Sequence, residues 1–161
     1  MKREFVLNEA KAMVPLVRHA LQDLTGTYST MLWYRRMVKS LDGCQMSADY
    51  SRRRQLHQAR HELQVAEKRV QEVTEELEDL GVVILDPVTG MVGFPFFWSP
   101  NAGSKRVRRA MFLLKLCDAP EKGINSWRFL GESVEHEVPS HWSHEQPTVI
   151  VADAVKSKSE S

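Results

Sequence analysis

Cysteine is almost missing from this chain: its 161 residues hold two, Cys44 and Cys117. Two cysteines this far apart fit neither a disulfide framework nor a CxxC pair, and the expected state is two reduced thiols. A charge excess is missing too. Lys plus Arg number 22 and Asp plus Glu 21, so net charge argues neither for nor against a polyanionic partner. No apolar run approaches the roughly 20 residues that a membrane span needs. The opening MKREFVLNEAK is too polar for a signal peptide. The expected compartment is the cytoplasm. Glycine-rich phosphate loops, HExxH and paired Cys/His patterns do not occur. With no catalytic or cofactor motif, no cofactor is expected and a non-catalytic role is favoured.

Residues 50–80 contain no proline or glycine. Leu56, Ala59, Leu63, Ala66, Val70, Val73, Leu77 and Leu80 recur at alternating steps of three and four, a heptad seam among Arg, Lys, Glu, Gln and His. Such a helix is roughly 45 Å long at about 1.5 Å per residue. It cannot cover its own seam, so it needs a second helix from its own chain or from another copy. Residues 5–41 supply a second seam: Ala10, Val14, Val17, Leu21, Leu24, Tyr28, Met31 and Val38, with Arg35 in the remaining slot. Asn8 is placed to cap this helix. Pro15, which lacks the amide that would bond back to Lys11, predicts a kink. Thr25-Gly26-Thr27 is a second weak point. Residues 42–47 make a connection so short that the helices must form an antiparallel hairpin. Gly43 suits the end of the first helix, and Ser47 or Asp49 the start of the second.

After Leu80-Gly81 the period falls to two. Residues 82–85 read as a strand, 86–90 as a turn, and 91–98 as a returning strand with Val92, Phe94, Phe96 and Trp98 on one face. Pro95 predicts a bulge or a free edge. Phe97 points the other way, as an apolar patch for another copy would. Residues 106–116 form a third strand and 124–130 a short fourth carrying Trp127 and Phe129. The expected fold class is α+β, a long antiparallel helical hairpin packed at its base on a small antiparallel sheet. Residues 1–131 form one domain, with the hairpin at 5–80 and the sheet at 82–131. Residues 132–161 read as a polar, partly disordered tail with a stray strand at 148–151.

Three stretches together resemble one family. FVLNEAKAMVPLV at residues 5–17, LEDLGVVILDPVTGMVGFP at 77–95 and MFLLKLCDAPEKGINSW at 111–127 are similar to the domain of unknown function family 2203, an uncharacterised prokaryotic family. The likeness covers residues 5–131. It implies a helical hairpin with a small sheet, and it implies no activity. Two departures stand out. Val6 replaces the family's usual threonine, and Arg128 and Phe129 replace the histidine and acidic residue that usually follow the tryptophan near Trp127.

Two constellations carry functional expectations. Folding the hairpin brings Arg35, Arg36 and Lys39 beside Arg52, Arg53 and Arg54, with His57 close by, while Glu72, Glu75, Glu76, Glu78 and Asp79 crowd the far end of the second helix. Along the second helix the macrodipole favours the reverse arrangement by about 0.3–1 kcal/mol per charge, so the stability of that helix does not account for it. One reading is a solvated tip without a partner. A second is an antiparallel dimer in which one tip meets the acidic base of another copy. A third is a polyanion, nucleic acid or anionic lipid, held at the tip. The other constellation is His136, His141 and His144 among Glu135, Glu137 and Glu145, suitable in type for a metal. Pro139 prevents helical stacking of those histidines, and a solvated tail is the plainer reading. Cys117 has no nucleophile's neighbours and is expected to be buried. His19, His57 and His61 are expected in solvent. The leading expectation is a structural or interaction module that self-associates through its helices, with an unknown protein partner also open.

Overall fold

The computed structural model describes residues 3–43, 50–100, 105–144 and 149–151. The first seam lies in α1, Leu7–Asp42, and the second in α2, Tyr50–Asp79. The helices run antiparallel and cover each other. Ala10, Val17, Leu21, Leu24 and Met31 of α1 and Ala59, Ala66, Val73 and Leu77 of α2 are buried. Val14, Tyr28, Val38, Leu56, Leu63, Val70 and Leu80 are half-buried beside them. The seams are therefore spent inside one chain. Arg35 leaves its seam slot for Glu67 at 3.3 Å, and Asp42 meets Arg60 at 3.4 Å. Asp23 pairs with Arg69 nearer the base. Exposed pairs of this kind add little to stability, so they contribute more to register.

Neither weak point ends α1. Pro15 sits inside an unbroken helix. Both it and Lys11 are exposed, so water can take up the Lys11 carbonyl that a missing amide leaves free. Around Gly26, the Thr27 and Thr30 hydroxyls donate to the carbonyls of Asp23 and Gly26 at 2.8 and 3.1 Å. Asn8 is not the cap. Val6 holds that position with extended backbone and no capping side chain. Gly43 ends α1 in right-handed geometry, φ −69°, so its glycine is not needed for a left-handed turn. Gly81, at φ 89°, is. Its amide donates to the Glu78 carbonyl at 2.9 Å and the Val82 amide to that of Leu77 at 3.3 Å, a Schellman closure sealed by the buried Leu77 and Val82. The expected cap at Ser47 or Asp49 lies outside the described residues, as do Cys44 and the last residues of the chain.

Five strands follow in antiparallel order: β1 Val83–Asp86, β2 Met91–Ser99, β3 Arg108–Lys115, β4 Ser126–Phe129 and β5 His136–Glu137. The expected sheet ended at residue 131 and was antiparallel throughout. The structure takes it further, through β5 and through β6, Val149–Val151, which lies parallel to β2 from Phe97↔Val149. Because β3 pairs with β2 from Met91 to Trp98, β1 and β6 must share the opposite side of β2. Pro95 occupies the gap between them. A strand residue turns its amide and carbonyl to the same side, so the missing donor falls in that gap. The Pro95 carbonyl accepts the Phe5 amide there at 2.8 Å, and the Phe5 ring meets Phe94 edge-on at 5.2 Å.

The β1–β2 turn is held by Asp86, whose carboxylate accepts from the Val88 amide at 2.9 Å and the Thr89 hydroxyl at 2.7 Å. The Thr89 hydroxyl and then the Val88 amide lower the Asp86 pKa below its ordinary value of 3.8. A depressed carboxylate stabilises the fold above its unfolded pKa, and that contribution is lost as pH falls through the folded value. An NMR titration should therefore place the Asp86 midpoint below 3.8, and Thr89→Val should move it upward.

Phe96 lies at the centre of the core. It stacks on Phe112 at 4.1 Å and meets Trp127 and Trp142 at 5.9 and 6.1 Å. Trp142, in the 3-10 turn Ser140–His144, is 2% exposed. The stretch expected as a tail thus contributes a core aromatic and, besides the strand expected at 148–151, the strand β5. Val92, Phe94 and Leu114 join this cluster to Val17, Leu21, Val73 and Leu77 of the hairpin.

Candidate functional site

The six cations expected at the tip do lie at one end of the hairpin. Arg36 and Lys39 near the end of α1, and Arg53 and Arg54 at the start of α2, are exposed and without an ion pair among the described residues. Arg35 is drawn off by Glu67, and Arg52, beside them, is also exposed. At the other end of α2, Glu75, Glu76, Glu78 and Asp79 have no ion pair among the described residues, while Glu72 meets Lys68 and Arg69. α2 has no acid in its first turn and no base in its last, the unfavourable sense for the macrodipole. The hairpin is consequently a long dipole, positive at the tip and negative at the base of α2.

The histidines fall elsewhere. His136 stacks on Trp127 at 4.6 Å, and His141 stands edge-on to Trp142 at 6.4 Å. The side chain of His144 lies outside the described residues. Among the described residues, no three His, Cys, Asp or Glu side chains are grouped to hold a metal. The stretch that looked like a solvated tail packs two of its histidines on buried tryptophans. Glu135 is taken up by Lys115. Cys117 is exposed, contrary to expectation, because it stands just past the end of β3. His19, His57 and His61 are exposed as expected. Phe97 is half-buried, with the Arg109 guanidinium 6.0 Å from its ring centre. No helix among the described residues is long and apolar enough to cross a membrane.

Sequence reasoning missed a groove on the hairpin. Two hollows of about 490 and 460 Å³ adjoin between the helices, sharing Tyr34 and Glu62. Gly26, Ala59 and Ala66 are among the lining, and small side chains such as these let another backbone approach. Trp33 stands 56% exposed beside the upper hollow and Val65 53% exposed beside the lower. The Trp33 ring is set edge-on to Tyr34 at 4.8 Å. The signal was present in the sequence. Trp33 is a large aromatic residue off the seam, on a part of the helix otherwise free to be polar. A smaller hollow of about 290 Å³ beside β1 is lined by Val83, Pro95, Met111 and Leu130 together with Glu78 and Arg109.

The model of one family, described as an uncharacterized conserved protein (DUF2203), matches residues 3–101. The chain belongs to this family. The matched residues take in both helices, β1 and β2, so the hairpin and its junction with the sheet are common to this chain and the DUF2203 pattern. The resemblance seen in residues 5–95 thus stands, while β3 and the strands after it lie beyond the matched region. No curated protein and no solved structure matches the chain.

Proposed function

We propose that this DUF2203 member is a non-catalytic interaction module that self-associates through its helical hairpin. The observation that carries this reading is the uncompensated charge polarity. Arg36, Lys39, Arg53 and Arg54 at one end and Glu75, Glu76, Glu78 and Asp79 at the other find no ion-pair partners among the described residues, and along α2 the arrangement runs in the unfavourable sense for the helix dipole. An antiparallel copy would set each end against its opposite. With both seams buried inside the chain, the contact falls on the outward faces of the helices. Light scattering on the full chain at low ionic strength should give a mass above one chain. That mass should fall as salt is raised, because exposed charges are screened over about 10 Å at 0.1 M. A single-chain mass at every concentration and salt overturns the reading.

The same free cations favour a second reading, a phosphate-rich partner such as nucleic acid or an anionic lipid surface held at the tip. Binding of single-stranded nucleic acid or anionic vesicles by a single-chain species, lost in the Arg53→Glu/Arg54→Glu variant, would favour this reading over the first.

A further inference from the structure

Resting on the self-association reading, we infer that the groove between α1 and α2 receives the hairpin of a second copy, run antiparallel, with each Trp33 seated over the partner's Gly26. Knob and hole stand on one helix. Trp33 projects 56% exposed. A side-chain carbon added at Gly26 would meet nothing within 4 Å. The two positions are one heptad apart, so they share a face and lie about 10.5 Å apart along the axis. A two-fold axis crossing α1 midway between them brings each tryptophan onto the other copy's glycine. This is an isologous contact, the kind that closes on itself as a dimer.

The register chosen from Trp33 and Gly26 can be checked on the other helix. The lower hollow sets residues 26–30 of α1 level with 65–69 of α2, and the upper sets 33–37 level with 54–62. The same axis therefore crosses α2 close to residues 64 and 65. Residues equally far from that point on the two copies face each other, which sets Arg53 and Arg54 level with the partner's Glu76 and Glu75. The groove-lining stripe Glu62, Val65, Arg69, carried on by steps of three and four, runs through Glu72 and Glu76. The tip cations thus arrive at the acidic stretch although charge played no part in choosing the register. Leu24, Tyr28, Val70 and Thr74 line a different hollow against Val83, Ile84 and Pro87, so β1 does not occupy this groove. The tryptophan supplies the affinity, as buried aromatic anchors commonly do. The charges supply orientation and salt dependence.

The experiment is sedimentation equilibrium on the full chain and four variants. Trp33→Ala should weaken the dimer about 30-fold or more, the size of a hot-spot loss. Gly26→Trp, which fills the hole from the same chain, should do likewise. Neither change should lower the monomer's far-UV helix signal, because both sites are open to solvent. Arg53→Glu/Arg54→Glu should dissociate the dimer, and adding Glu75→Lys/Glu76→Lys to it should restore association. Less than a threefold change for both Trp33→Ala and Gly26→Trp overturns the knob-and-hole contact while leaving self-association in place. Failure of the four-fold charge swap to restore a dimer overturns the register. A wild-type chain that is monomeric throughout overturns the reading on which this inference rests.

Discussion

Phe96→Ala should cost about 3–5 kcal/mol of folding stability, the range for emptying a large aromatic site in a core that cannot collapse around it. Phe96 is 1% exposed and touches Phe112, Trp127 and Trp142, which come from β3, β4 and the 3-10 turn. Those neighbours are held by separate elements, so they cannot close the void together. Urea unfolding should show a fall in midpoint with little change of slope. Phe97→Ala, one residue along and pointing to the opposite face, removes a half-buried ring and should cost far less. Equal losses from the two substitutions would contradict the alternation of β2.

Val73→Asp should be at least as damaging. Val73 is 0% exposed and packs where the two helices meet the sheet. The substitution gives up about 1.5–3 kcal/mol of apolar burial and puts a carboxylate there without a partner, a fault that costs about 3–5 kcal/mol where buried ion pairs are broken. Against the roughly 5–15 kcal/mol that holds an ordinary domain together, this is a third or more of the whole, and the urea midpoint for loss of far-UV helix signal should fall accordingly. Gln64→Asp on the exposed side of the same helix should stay within about 0.7 kcal/mol of wild type. A Val73→Asp protein with the wild-type urea midpoint would mean that α2 does not present Val73 to the sheet.

The hairpin was legible because its signal is redundant. Sixteen apolar positions in two seams agree on one face each, and neither Pro15 nor Gly26 outweighs that agreement. β2 to β4 were legible from alternation and from Pro and Gly at the turns. Residues 132–144 were not, because a two-residue strand and a single 3-10 turn are too short to show a period. The one clue there was Trp142, too large and apolar to be left in a polar tail. The N-cap was misplaced for a similar reason. Asn8 has the right chemistry, but the Phe5 anchor on Pro95 decides where the chain turns into the helix, and that anchor is a tertiary contact. The cationic tip could be read from folding the hairpin on paper, whereas the loss of Arg35 to Glu67 could not. The groove escaped notice because its lining comes from both helices, and its small residues carry no pattern of their own.

The Phe5–Pro95 contact bears on how the sheet behaves in a crowded solution. The side of β2 left open between β1 and β6 is the place where a stray strand from a neighbouring molecule would dock and begin templated growth. There, Pro95 has no hydrogen to offer and its oxygen is already engaged. An intruding strand finds no ladder to extend, so the molecule can carry a flat aromatic strand through its middle with that flank barred against aggregation.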